Sequence, residues 1–462
     1  MPAVVRPRVH GGFPSLRPLG RFAPMAKDKV FSRLPGFRDF PPEELQIRSH
    51  IFDAWRGAAR RYGFQEYDGP PLEALELYTE KSGEEIVGQL YAFQDRGGRD
   101  VTLRPEMTPS LARILGERSR ALPKPIRWFT MPQLFRYERQ QRGRLREHFQ
   151  WNVDIVGEAG VGADAEVLAV AIDALRELGL GPGDFRARVS DRRLLSALLR
   201  GAGVREEALP AAYGVIDKLE REDVSRSVRR LEEECGLTSS QAAGAVELFR
   251  TGGLEEAALA HGEDPSVALA LEELDEYRAI LTGLGLGDFV EFDLKIVRGL
   301  AYYTGIVFEL FDRKGQLRAI CGGGRYDRLL ELVGGDPLPA VGFGMGDVVL
   351  GELLAEHGLV PPVGREVDLF LVSVVPGLRP LILEIAGAQR ERGRSVVYSL
   401  RDQTVRKQFS AASTEGARWV VVLGPDEVEQ GVAVLRDMRA GTEGRVSLDL
   451  LRRGEGLGSD QV

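Results

Sequence analysis

Five arginines crowd one short stretch, Arg136-Tyr-Glu-Arg-Gln-Gln-Arg-Gly-Arg-Leu-Arg-Glu-His148. They are Arg136, Arg139, Arg142, Arg144 and Arg146. The planar guanidinium fork matches phosphate oxygens and carboxylates two bonds at a time. A solvated basic loop is the ordinary fate of such a run. Here Glu138 and Glu147 stand among the arginines as if to orient some of them, and apolar segments flank the run on both sides. A hairpin tip of this kind suits the clamping of a polyphosphate. A second element, Val297-Arg-Gly-Leu-Ala-Tyr-Tyr-Thr-Gly305, sets Arg298 beside Gly299 and sends Tyr302 and Tyr303 into another apolar strand. Its plain reading is a hairpin with an exposed arginine; its functional reading is an arginine held over a ligand by a tight turn. A third, Gly322-Gly-Gly-Arg-Tyr-Asp327, places three glycines after a buried strand. Such a run indicates that backbone must approach a ligand or another strand closely.

The elements that position these residues follow from hydrophobic period. Leu45, Ile47, Ile51, Trp55 and Ala59 mark a helix over 43–62, opened by Pro41-Pro42 and closed by Gly63. A short strand at 64–67 stops at Pro70-Pro71, an edge or interface device. Segments 90–93 and 100–103 form a hairpin around Gly97-Gly98, and 109–119 is a helix. Segments 126–135 and 148–156 are the strands that carry the arginine tip, and 163–178 is helical. From about 190 to 286 the pattern is almost wholly helical, an insertion between strand-rich regions. Strands resume at 289–297, 303–311 and 318–321. A helix at 326–333 and a glycine-rich segment at 339–346 follow, the latter leading into a helix at 347–357. Beyond a linker at 361–364, strands at 367–374, 395–398 and 419–423 alternate with helices. The expected fold is an α+β core on an antiparallel sheet flanked by helices, with a helical insertion and a C-terminal α/β domain. The expected divisions are an extension at 1–27, a core at 28–189 and 287–360, the insertion at 190–286 and the last domain at 365–453.

A chain of 462 residues holds two to four domains at about 100–200 residues each. Its composition, 43% hydrophobic and 28% charged, is that of an ordinary globular protein. Cys235 and Cys321 have no partner at metal-ligand spacing, so a reducing compartment and no structural metal are expected. No apolar run approaches the ~20 residues of a membrane span. The net charge of −8 argues against a general nucleic-acid binder but leaves room for a local basic surface. Residues 1–27 hold four arginines, one lysine and no acid, as a transit peptide can. Several prolines and glycines and little amphipathic patterning favour instead an overextended start, with Met25 as the initiator.

From about residue 34 to 451 the chain resembles the class II aminoacyl-tRNA synthetases, and specifically the histidine–tRNA ligase family. The helix at 43–62 with the strand at 64–70 is similar to the first class motif, the dimer element. Phe135-Arg-Tyr-Glu-Arg139 through His148-Phe-Gln-Trp-Asn-Val-Asp154 is similar to the second, the ATP hairpin. Arg298-Gly-Leu-Ala-Tyr-Tyr-Thr-Gly305 and 322–327 resemble the two signatures peculiar to the histidine enzymes, and the C-terminal module resembles their anticodon-binding domain. The resemblance implies ATP-dependent activation of L-histidine to histidyl-adenylate, then transfer to tRNA(His) with release of AMP and diphosphate. It implies a cytoplasmic homodimer, with ATP as substrate and Mg²⁺ on the phosphates.

The resemblance also implies roles by position. Glu106 and Thr108 hold the α-amino group of histidine, with Met107 between them. Gln150, Asp154 and Tyr303 border the amino acid, with Tyr302 and Tyr326 close by. Arg136 and Arg144 bind ATP phosphates, Glu138 lies near the adenine, and Arg298 stabilises the α-phosphate. Two positions depart from the pattern. Asp154 stands where the family carries a glutamate. Val349 stands where the third class motif carries an arginine for the γ-phosphate, and Arg325 and Arg328 are the candidates to replace it. The rival reading is a catalytically silent paralogue that regulates the first enzyme of histidine biosynthesis. Such paralogues typically lack the C-terminal module, so its presence here, with the intact arginine hairpin, favours the ligase.

Overall fold

The computed structural model describes residues 32–457 apart from 80–86, 140, 298–302, 333, 335, 336, 363 and 365. The extension at 1–27, Arg298 and Tyr302 therefore lie outside the described residues.

A nine-stranded sheet forms the core. Its strands, numbered in chain order, are β1 (Gln65–Glu66), β2 (Ile126–Thr130), β3 (Gln133–Phe135), β4 (Glu147–Val156) and β5 (Phe185–Asp191). They continue with β6 (Val290–Phe292), β7 (Ile306–Asp312), β8 (Cys321–Arg325) and β9 (Ala340–Gly346). The order across the sheet is β1-β2-β4-β9-β8-β7-β5-β6, with β3 paired to β4. The interior pairs are antiparallel, as expected, and a parallel pair closes each edge. The strand before Pro70 is an edge strand, consistent with proline's inability to extend a ladder. The expected single strand over 126–135 is interrupted before Gln133, and it resumes as β3 along the outer end of β4.

The two faces of this sheet differ because strand side chains alternate. On one face Trp151, Val153 and Ile155 of β4, Val341, Phe343 and Met345 of β9, and Phe308 and Leu310 of β7 join the main apolar core. Two helices cover that face. Helix α1 (Pro42–Arg61) has proline in its first turn, acids at Glu43 and Glu44, and bases at Arg60 and Arg61, an arrangement that complements the helix dipole. It buries Ile51, Trp55, Ala58 and Ala59, and Trp55 stacks on Trp151 at 5.8 Å between centroids. Helix α3 (Val161–Glu177) is alanine-rich, which lets it lie close against the sheet. Helices α2 (Thr108–Arg118) and α4 (Asp347–Glu356) complete the core.

The helical insertion follows β5, its first helix beginning at Arg192 with Asp191 as the N-cap. Leu194, Leu198, Ala212, Phe249 and Tyr277 belong to the same apolar core as the sheet, so this segment has no separate core of its own. The C-terminal domain is a five-stranded sheet. Val396–Tyr398, Val367–Ser373 and Ala417–Leu423 are parallel, and Val432–Asp437 and Glu443–Ser447 extend it antiparallel. It packs its two faces into clusters of its own. Among the described residues no helix is long and apolar enough to cross a membrane.

The opposite face of the core sheet lacks side chains along β8 and β9. On β9 the positions facing that way are Gly342, Gly344 and Gly346, paired in register with Asp154, Asn152 and Gln150 of β4. Next to them on β8 come Gly322 and Gly324. The glycine run expected to follow a strand is thus itself a strand. A Cβ on Gly344 would stand 2.7 Å from the Gln150 side chain, and one on Gly342 would press on the Asp154 carboxylate and lie 2.6 Å from the Val153 carbonyl oxygen. The glycines therefore leave room for polar side chains to stand upright on β4. Gly342→Ala is expected to cost about 1–3 kcal/mol through overpacking, read as a lower urea midpoint. An unchanged midpoint would show that the packing at this floor is slack.

Candidate active site

The polar face of β4 runs His148, Gln150, Asn152, Asp154, with Asn152 and Asp154 buried. Around its outer half opens a cavity of about 630 Å³. The glycine floor forms its base, through Gly322, Gly344 and Gly346, and Glu309 and Phe311 of β7 form the far wall. Arg136, Glu138 and Arg144 hang over it from the arginine hairpin. Glu138 sits between the two cations, 2.9 Å from Arg144 and 4.0 Å from Arg136. Arg136 is further aimed by donating Nε to the Pro105 carbonyl at 2.9 Å.

The other hairpin arginines have different work. Arg142 bridges to Glu352 and Glu356 of α4, fastening the tip to the core. Arg146 lies over the Tyr137 ring at 4.1 Å. Only Arg136 and Arg144 of the five border the cavity. His148 shares the cavity wall but is held neutral: burial, then Arg136 and Arg38, lower its pKa to about 3. Behind the wall, Arg38 joins Glu147 at 2.6 Å and Asp347 at 2.9 Å, tying the segment before α1 to both β4 and α4. The Phe149 amide donates to Asp347 at 2.9 Å, so the acid that opens α4 also fixes β4.

The inner half of the β4 polar face is of another kind. The Tyr326 hydroxyl donates to Asp154 Oδ1. Burial raises the Asp154 pKa to about 7, opposed by that hydrogen bond. Tyr303 and Tyr326 are buried in an apolar cluster with Leu111, Ala112 and Leu115 of α2. Glu106 and Met107 are buried just before α2, and Thr108 is its first residue. Arg104, buried, fixes this corner through Asp68 and the carbonyls of Gly69 and Gln133. The expected neighbours Glu106, Met107, Thr108, Asp154, Tyr303 and Tyr326 are thus carried on one side of the sheet. Gln150 stands between the two halves, in the cavity wall and on the Asp154 face.

Neither candidate to replace the third-motif arginine lines the cavity. Arg325 is buried and bound by Asp164, Asp327 and the carbonyls of Glu158 and Gly160. Arg328 is exposed and pairs with Glu331. Val349 lines the cavity and packs into the main core.

Sequence reasoning missed three residues at this site. Arg318 and Arg221 line the cavity from a turn and from the insertion, and nothing in their local sequence marks them. Tyr67 has a buried hydroxyl with no hydrogen-bond partner among the described residues. Burial, then Asp154 and Asp68, raises its pKa well above the ordinary value.

Residues 36–346 match the family described as Histidyl-tRNA synthetase, and residues 368–453 match the family described as Anticodon binding domain. The Histidine--tRNA ligase of Opitutus terrae is 43% identical over 420 residues, 90% of this chain and 95% of that protein. The chloroplastic/mitochondrial Histidine--tRNA ligase of Arabidopsis thaliana is 40% identical over 415 residues, 89% of this chain and 84% of that protein. The crystal structure of histidyl-tRNA synthetase from Nostoc superposes with a TM-score of 0.78 at 25% identity, covering 92% of this chain and 99% of that one. A structure from Bacillus halodurans titled as an ATP phosphoribosyltransferase regulatory subunit/histidyl-tRNA synthetase gives 0.70 at 26% identity, covering 86% and 99%.

The raised Asp154 pKa has a sign that stability can test. Between about pH 4 and pH 7 the folded chain keeps a proton that the unfolded chain has released, so stability falls as pH rises through that window. The fall approaches about 1.4 kcal/mol for each pH unit crossed. Asp154→Asn removes the ionisation. Denaturant melts are expected to show the variant gaining on the parent between pH 4 and pH 8. A stability difference that is the same at both pH values would contradict the assigned environment.

Proposed function

The chain belongs to the histidyl-tRNA synthetase family, and we propose that the trough along β4 is where its amino acid is activated. The reaction is ATP-dependent activation of L-histidine to histidyl-adenylate with release of diphosphate, followed by transfer of the histidyl group to tRNA(His) with release of AMP. One observation carries the placement of this chemistry. A single strand face runs from a guanidinium-lined cavity at His148 and Gln150 to a buried carboxyl at Asp154. Three residues of strand lie between Gln150 and Asp154, and the four steps from one to the other span about 13 Å. A ligand with a polyanion at one end and an imidazole at the other fits such a trough.

In this reading the histidine carboxylate attacks the α-phosphorus of ATP and pyrophosphate leaves. Much of the barrier is repulsion between anions and the loss of freedom on bringing them together. Arg136 and Arg298 take the α-phosphate, Arg144 a further phosphate, and Glu138 orients the two hairpin arginines beside the adenine. Glu106 and Thr108 hold the α-amino group, with Met107 packed behind. Asp154, Gln150, Tyr302, Tyr303 and Tyr326 border the side chain. A pocket that hydrogen-bonds both imidazole nitrogens leaves buried groups unpaired when another side chain enters, which supports strong selectivity. Asp154 and Tyr326 already form such a polar pair.

Mg²⁺ on the phosphates would add charge neutralisation. Glu138 and Glu309 are the carboxylates that line the cavity, and Mg²⁺ commonly keeps few protein ligands beside substrate phosphates. The C-terminal domain is assigned to the tRNA anticodon, which its match to anticodon-binding domains supports. A cytoplasmic homodimer is the proposed working form. Supporting it, one face of the small sheet Leu72–Ala74, Tyr91–Gln94, Asp100–Leu103 is apolar and exposes Leu72 and Phe93.

The likeness to the Bacillus halodurans structure, together with Val349, gives the regulatory reading its footing. The arginine-lined cavity and the C-terminal domain favour the ligase. The purified protein is expected to exchange labelled pyrophosphate into ATP only when histidine is present. Histidine binding without exchange above background would overturn the ligase reading in favour of the regulatory one.

A further inference from the structure

The turn between β7 and β8 is held from within. Asp312, buried, accepts from the amides of Gln316 at 3.1 Å and Leu317 at 3.0 Å. The Ile320 amide then donates to the Leu310 carbonyl at 2.8 Å. Arg318 lies between these two anchors, so its backbone is fixed at the rim of the cavity that it lines.

Its side chain reaches the place where Val349 stands. A Cβ built on Gly143, at the tip of the arginine hairpin, would lie 3.3 Å from Val349 Cγ2 and 3.6 Å from Arg318 Cδ. The hairpin tip, the valine and the arginine stem therefore meet at one point of the wall. The charges of Arg144, Glu138 and Arg221 act on the Arg318 guanidinium, and Val349 leaves its part of the wall without charge.

The charges around it do not balance. Glu138 is shared between Arg136 and Arg144. Arg318 and Arg221 border the same cavity, and neither has a carboxylate within ion-pair distance among the described residues. Burial first, then the nearby Arg144, lower the pKa of Arg318, and Glu138 offsets them in part. Bringing an uncompensated guanidinium beside two others is unfavourable until an anion enters, and a polyphosphate is the anion whose charge and length match.

We propose that Arg318 binds the β- and γ-phosphates of ATP, making from the β7–β8 turn the contact that Val349 does not make from α4. The proposal rests on the reading of the trough as an ATP site. It assigns Arg318 to the phosphates that leave as pyrophosphate, and gives it no part in holding the adenylate.

That division is testable with Arg318→Ala in the full-length protein. In histidine-dependent exchange, the KM for pyrophosphate and the KM for ATP are each expected to rise about tenfold or more, the loss of one charge-assisted contact. The KM for histidine and the affinity for 5′-O-(histidylsulfamoyl)adenosine, which lacks both phosphates, are expected to stay within about twofold of the parent. Retained affinity for that analogue also shows that the variant is folded. An unchanged pyrophosphate KM, or an analogue affinity that falls in step with it, overturns the assignment. Absence of exchange in the parent protein would instead strike the ATP reading itself.

Discussion

The site depends on a sheet that is packed with apolar side chains on one face and carries a strip of glycines on the other. Gly322, Gly324, Gly342, Gly344 and Gly346 make up that strip, while the residues between them on β9 enter the core. Were those glycines ordinary residues, Asp154 and Gln150 would have nowhere to stand. Glycine weakens a strand because it packs nothing and is costly to order. The opposite face offsets this with a continuous apolar layer, in which Trp55, Trp151 and Phe343 lie against one another. The layer of α1 and α3 is what permits a floor of naked backbone.

Given that floor, β4 sorts the chemistry by depth. Its outer half meets guanidiniums and its inner half meets a carboxyl and phenols. The outer half keeps its one imidazole, His148, uncharged, so the positive potential comes from arginines that cannot lose their proton. The inner half holds Asp154 in a setting that resists ionisation until a partner arrives. The two ends therefore differ in charge and in solvation. The insertion is joined to this arrangement. Arg188 of β5 grips Glu220 at 2.5 Å, and the next residue, Arg221, lines the cavity. A segment that reads as an appended helical module thus shares both the core and the site.

Much of this was legible in sequence, for reasons that can be named. The arginine hairpin stood out because glutamates and apolar strands bracket it. The amphipathic period of α1 and the alternation of β4 are strong local signals. Other features were hidden by their dependence on distant partners. The glycines of 322–324 were expected to serve a close approach, which they do, yet the strand was ended at 321 because glycine carries no strand signal. Only the register with β9 shows that the approach is strand to strand at Gly323, whose Cβ would lie 2.6 Å from Phe343 Cβ. Nor can a sequence say which arginines are already engaged: Arg142 and Arg146 of the hairpin, and Arg325, are taken up by α4, Tyr137 and Asp164. Arg318 and Tyr67 carry no motif at all and acquire meaning only through what folding sets beside them. The antiparallel strands Val432–Asp437 and Glu443–Ser447 also went unread, their short alternation masked by charge.

The central claim is that one strand face holds both the amino acid and the nucleotide, with phosphates at the outer end. A crystal structure with histidine and a non-hydrolysable ATP analogue tests it most directly. The imidazole is expected against Asp154 and Tyr326, the α-phosphate at Arg136, and the terminal phosphates within reach of Arg144 and Arg318. Phosphates bound away from the glycine floor, or an Arg318 side chain turned to solvent in the complex, would contradict it.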